Sequence, residues 1–166
     1  MKHLEGIPYF YQNGPPSLYN AGGTSMVIPK EGINCQALAH IYYWNTFGIP
    51  LPRAYWSKEL YEDPLHYFMR IPHSAPLFQG DILLFGPVHL ANWKKLHIGI
   101  YDEESGTILH TTNTTGSCRW PLGAFASHAS YATVYGIRRL DWEKFGLSSF
   151  FSSIYSGSET SSSVLQ

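Results

Sequence analysis

Between Asn34 and Phe47 the chain runs without Pro or Gly, and Cys35, Leu38, Ala39 and Tyr42 fall at i, i+3, i+4 and i+7. That spacing places the four on one face and predicts a helix. Gly48 supplies a stop at its end, and Asn34, just ahead of the stripe, is a good N-cap. Cys35 then sits in the first turn. Upstream, residues 7 to 24 are rich in Pro, Gly, Tyr and Asn, the make-up of a loop with unusual backbone angles. Downstream, Gly48-Ile49-Pro50-Leu51-Pro52-Arg53 cannot be helical, because each Pro removes a donor and restricts the residue before it. A second, shorter helix is predicted across Trp56 to Glu62, ended by Pro64.

From there the pattern changes to strands. Gln79-Gly80-Asp81 reads as a turn, and Ile82-Leu83-Leu84-Phe85 is an apolar run of strand length closed by Gly86-Pro87. His97-Ile98-Gly99-Ile100-Tyr101 is a second run, Thr107-Ile108-Leu109-His110 a third, Cys118 to Trp120 a fourth and Tyr131 to Leu140 a last. Asp102-Glu103-Glu104-Ser105-Gly106 between the second and third is a polar turn of hairpin length. Helices first and a mostly antiparallel sheet afterwards is the α+β arrangement. Nine of the residues from 147 to 166 are Ser, which leaves little to bury. The expected organisation is therefore a folded domain over 1–146 and a Ser-rich tail over 147–166, partly disordered.

Composition narrows the functional classes. With 11 Lys+Arg against 12 Asp+Glu, the formal charge is -1, which argues against a nucleic-acid groove or a polybasic membrane patch. No segment approaches the ~18 apolar residues of a membrane span, and the residues from Met1 to Pro8 show no signal-peptide core, so localisation is left open. Two cysteines exclude a disulfide framework and a four-thiolate zinc site; one disulfide, a reactive thiol or two buried hydrophobes remain. Eight histidines fall in no H-x-x-x-H pattern, so no metal site is expected.

A thiol in the first turn of a helix feels unpaired backbone N–H groups and the positive end of the macrodipole, both of which favour the thiolate. A cysteine nucleophile also needs a base. His97 opens one strand and His110 ends the next, so antiparallel pairing would set them side by side. Nucleophile, base and a group that orients the base form the logic of a triad. The plain alternative is that Cys35 is a small buried hydrophobe, and Cys118 reads as structural.

Seven segments in order tie the chain to a known family. They are Tyr19-Asn20-Ala21-Gly22-Gly23, Asn34-Cys35-Gln36-Ala37, Gly48-Ile49-Pro50-Leu51-Pro52-Arg53, Gly80-Asp81-Ile82-Leu83-Leu84-Phe85, His97-Ile98-Gly99-Ile100-Tyr101, Ile108-Leu109-His110 and Gly136-Ile137-Arg138-Arg139. From about residue 19 to 140 the chain resembles the NlpC family of papain-like cell-wall peptidases. Lecithin retinol acyltransferase-like proteins carry these elements permuted, with the cysteine after the histidines; here it comes first. The resemblance implies a papain-like α+β fold, with an N-terminal helix carrying the nucleophile packed on a mostly antiparallel sheet.

It also implies a cysteine hydrolase that cleaves amide bonds in peptidoglycan stem or cross-link peptides, acting as a monomer without a cofactor. Cys35 would attack, His97 serve as acid and base and His110 orient it, with Asn113 as a fallback orienter. The Cys35 backbone N–H and Tyr19 would hold the oxyanion. The chain departs from the family beside the thiol. Asn34 and Gln36 stand where Asp and Ser usually do, at positions that resemble a pocket for a substrate amine. A neutral Asn cannot supply the charge-assisted half of that contact. Asn34 and Gln36 read equally as substrate contacts or as a helix cap and a solvated first-turn residue. Two other functions stay open: a catalytically silent module that binds a wall peptide, and an acyltransferase working through a thioester.

Overall fold

The computed structural model describes residues 4–19, 26–90 and 95–147. The expected Ser-rich tail lies almost wholly outside them. Three helices and six strands follow in the order α1 Cys35–Phe47, α2 Ser57–Glu62, β1 Phe68–Ile71, β2 Ile82–Gly86, β3 His97–Asp102, β4 Thr107–Thr112, β5 Gly116–Pro121, α3 Leu122–Ala126 and β6 Thr133–Leu140. A short 3-10 turn, Pro15–Leu18, precedes them. The strands form one sheet in the order β1-β6-β2-β3-β4-β5, and every adjacent pair is antiparallel. The chain therefore has the expected α+β architecture, with the cysteine-bearing helix packed against an antiparallel sheet.

The apolar runs fall where the pattern put them, and the sheet explains why β2 does not alternate. Ile82 and Leu84 pack toward α1, in a core with Leu38, Ile41, Ile98, Ile100 and Leu109. Leu83 and Phe85 pack on the opposite face with Ile108, Phe125 and Ile137. A strand covered on both faces reads as a continuous hydrophobic run. Gly99 is where that second face is tightest. A Cβ there would come within 2.3 Å of Ile108 Cγ2 and 3.0 Å of the Phe85 ring, so the strand needs a residue without a side chain.

Helix α1 is buried more completely than its stripe suggested. Ala37, His40, Ile41 and Tyr43 are buried as well as Cys35, Leu38, Ala39 and Tyr42. His40 is held there by Tyr55 O at 3.0 Å from its Nε2. Its burial lowers the pKa to about 4. Gly48 ends the helix at φ 68, the left-handed conformation a glycine tolerates.

Two elements carry no readable signal. β1 has four residues on the sheet edge, one of them Arg70, and α3 has five with Gly123 inside, too few for periodicity to register. The last strand begins at Thr133 rather than Tyr131, which lies in the turn before it.

A buried ion pair ties the last strand to the start of β2. Arg139 Nε donates to Asp81 Oδ1 at 2.9 Å and its Nη2 to Oδ2 at 2.7 Å, with the guanidinium 4.0 Å from the Phe78 ring centre. The Phe78 amide also donates to Asp81 Oδ2. Asp81→Ala leaves that guanidinium covered and unpaired, and is expected to lower unfolding free energy by about 3 kcal/mol in urea titration. Stability equal to wild type would refute that role.

Candidate active site

One side chain sets the entry to α1. Asn34 Oδ1 accepts from the Ala37 amide at 3.0 Å, capping the helix, while its Nδ2 donates to Tyr11 O at 3.1 Å. Its backbone N–H donates to Asn13 O, and Phe10 N–H to Ile33 O. The 9–13 strip is thereby laid beside the helix start, with Tyr9 bridged in parallel to Ile33. Both polar groups of Asn34 are thus engaged in shaping the backbone. Of the two readings of this residue, the geometry supports the cap.

Cys35 is the next residue, 8% exposed. The backbone amides of Ile98, Cys35 and Gln36 draw its pKa down, as expected at a helix start, but burial outweighs them and pushes the thiol up to about 11. The helix start acts in the expected direction, and burial acts against it. A helix terminus stabilises charge by a fraction of what full desolvation costs.

His97 opens β3, so it adjoins Ile98, whose amide reaches the Cys35 sulfur. Its Nε2 lies 3.0 Å from His110 Nδ1, with the rings edge to face. The β3–β4 register pairs Ile100 with Leu109. Extended by one pair, it sets His110 across from Gly99, so the two rings meet on a diagonal of one face. Burial, then the field of His110, holds His97 well below the usual imidazole range, and burial takes His110 to about 4. Both rings are neutral at pH 7.

A cavity of about 600 Å³ opens at this point. Tyr9, Cys35, Gln36, His97, His128 and Tyr131 are among the residues that line it. Asn113 is at its rim, exposed, while Nε2 of His97 is taken by His110. Tyr19 is placed elsewhere. It is absent from the lining, its hydroxyl donates to Leu51 O at 3.2 Å and Arg53 sits over its ring. The tyrosines that line the cavity are Tyr9, Tyr11 and Tyr131, and the pKa of Tyr9 rises through burial and then through the charge Cys35 would carry. Tyr131 responds to Cys35 in the same way.

Sequence reasoning missed Tyr9, His128 and Tyr131. Tyr131 stacks on His97 at 4.1 Å between centroids and His128 stacks on Tyr131 at 4.3 Å, forming a column of three rings. The two come from the turn after α3, where nothing in the pattern marks a side chain as inward. Tyr9 lies in a stretch that reads as loop, where nothing in the pattern singles it out.

Both cysteines are free, and Cys118 is half-buried beside His110. Among the described residues, no group of three or more His, Cys, Asp or Glu is disposed to hold a metal ion, and no helix is long and apolar enough to cross a membrane.

No protein-family profile and no curated protein matches the chain. Among solved structures it is similar to the crystal structure of a "similar to lipoprotein, NLP/P60 family" protein from Staphylococcus aureus subsp. aureus Mu50. The TM-score is 0.52 and the identity 20%, over 84% of this chain and 38% of that one. That likeness establishes an NLP/P60-type fold. This chain spans well under half of the lipoprotein's length.

Two titrations follow from these environments. The folded His40 and His110 bind a proton only near pH 4, whereas the unfolded chain does so near 6.5, so stability is complete above about 6.5 and falls as pH drops toward 4. For His40 alone the loss is of order 3 kcal/mol. Urea midpoints at pH 7 and 5 should differ accordingly, and equal midpoints would contradict the burial. Separately, alkylation of Cys35 by iodoacetamide, followed by peptide mass spectrometry, should keep rising past pH 9. A plateau near neutrality would mean a stable thiolate.

Proposed function

We propose that the protein is a cysteine hydrolase that cleaves an amide bond in peptidoglycan stem or cross-link peptides, its working unit being the 1–146 domain. The observation that carries this is a helix-start thiol and a histidine lining one cavity of peptide-binding size, with His110 hydrogen-bonded to that histidine. The wall-peptide substrate rests on the family resemblance together with the NLP/P60-type fold.

In this reading the resting pair is neutral, thiol beside imidazole. Cys35 Sγ attacks the carbonyl carbon as its proton passes to His97, so charge forms only as the S–C bond forms. His110 holds the ring of His97 for that transfer. The Cys35 backbone N–H and the Tyr9 hydroxyl receive the oxyanion, Tyr9 taking the part first expected of Tyr19. His97 then protonates the leaving amine, and water resolves the thioester. Losing one oxyanion donor typically costs about 3 kcal/mol of barrier, so Tyr9→Phe should lower kcat roughly 100-fold.

One observation favours a second reading: a covered thiol with its pKa near 11 suits a module that binds a wall peptide without cutting it. Purified peptidoglycan digested with wild type and Cys35→Ala separates the two. New peptide termini by mass spectrometry from wild type alone support hydrolysis. Retained binding by both proteins with no products from several wall chemistries makes it a binding module.

A further inference from the structure

His97 is not the end of the hydrogen-bond chain that leaves the cavity. Behind it, His110 uses Nδ1 toward His97 and turns Nε2 toward Cys118 Sγ, 3.6 Å away, a distance within hydrogen-bond range for sulfur. The sulfur also receives the Thr115 hydroxyl at 3.4 Å, and Thr115 is itself linked to Thr112 Oγ1 at 2.6 Å. The β4–β5 register pairs His110 with Cys118, so the sulfur is held beside the ring by the backbone ladder. Trp120 and Phe125 pack against the His110 ring at 4.4 and 4.8 Å between centroids, and the field of His128 also reaches it. Among the described residues, Cys118 is the polar group at His110 Nε2.

Two neutral imidazoles joined by one hydrogen bond have two proton arrangements, and they differ in consequence. In the first, His97 carries its proton on Nε2 and donates to His110 Nδ1. His97 Nδ1 is then bare and able to take a proton from a thiol, and His110 must carry its own proton on Nε2, aimed at Cys118. In the second, His110 donates from Nδ1, His97 holds its proton on Nδ1 and cannot act as a base, and His110 Nε2 needs a donor. The group at His110 Nε2 therefore selects the arrangement. The Cys118 thiol can accept there or donate its own S–H, the Thr115 hydroxyl holds its sulfur in place, and acceptance is the arrangement that leaves His97 a base.

The geometry points to Cys118 as a positioning residue: its sulfur accepts from His110 Nε2–H, fixes the tautomer of His110 and through it leaves His97 Nδ1 free to serve Cys35. This deepens the hydrolase reading and rests on it for its purpose, though the tautomer itself can be observed without any substrate. Cys118 is then neither a spare thiol nor filler. It is the fourth member of a line running Cys35, His97, His110, Cys118.

The test uses the full chain with Cys118→Val, which removes the acceptor while filling the space, and Cys118→Ser, which keeps one. Long-range ¹H–¹⁵N spectra of the histidine rings read the tautomers. Iodoacetamide at pH 8, whose iodide the Cys35 sulfur displaces, reads the reactivity of Cys35 by peptide mass spectrometry. The expected result is a wild-type His110 protonated on Nε2, a mixed or Nδ1-protonated His110 in Cys118→Val, and Cys35 alkylation slowed about tenfold, part of what a general base contributes. Cys118→Ser should hold both readouts near wild type. A wild-type His110 protonated on Nδ1 overturns the proposal, as does a valine variant with unchanged spectra and unchanged Cys35 rate. If the valine variant does not fold, the wild-type spectrum decides. Should Cys35 be inert in wild type while the His110 tautomer still follows residue 118, the positioning role stands and the hydrolase reading falls.

Discussion

The entry of α1 is held by an asparagine that makes four hydrogen bonds at once: to the helix through Ala37 N and Leu38 N, and to the preceding strip through Tyr11 O and Asn13 O. That clamp decides what lies next to Cys35. It sets the thiol at the edge of β3, where the Ile98 amide reaches the sulfur, and it draws Tyr9 alongside. An aspartate at residue 34 could cap the helix through a carboxylate oxygen, yet it lacks the Nδ2 donor that reaches Tyr11. The asparagine trades a charge near the thiol for a second fastening of the loop.

Competition between two electrostatic effects runs through the whole site. Unpaired amides at a helix start favour a negative sulfur, while burial disfavours any charge, and here burial prevails at the thiol and at both histidines alike. A site built this way stores its protons in neutral groups and must move them during bond formation. The ring column of His97, Tyr131 and His128 fits that demand, since a stacked imidazole keeps its edge nitrogens in one plane and direction.

Much of this was legible in the chain because it is local. The stripe from Cys35 to Tyr42, the cap at Asn34, the stop at Gly48 and the cores of β2 to β6 each depend on neighbours a few residues away. The pairing of His97 with His110 was legible too, since it follows from two adjacent strands. What escaped is set by distant cover. Helix position alone suggested an easily ionised Cys35, because the sequence does not say what will lie over it. Tyr19 and Tyr9 are both loop tyrosines, and only the fold turns one toward Leu51 and the other toward the thiol. His128 and Tyr131 belong to a turn, whose side chains obey no periodicity.

The sheet order has a bearing on how the molecule is made. β6 lies between β1 and β2, so edge strand β1 has no partner in the sheet until residues 133–140 arrive. During synthesis Cys35 and both histidines of the pair emerge well before that pairing. Such long-range pairing is slow to form and exposes strand edges while it waits. The strands that carry the histidine pair thus join ahead of β1, which is the part of the sheet left waiting.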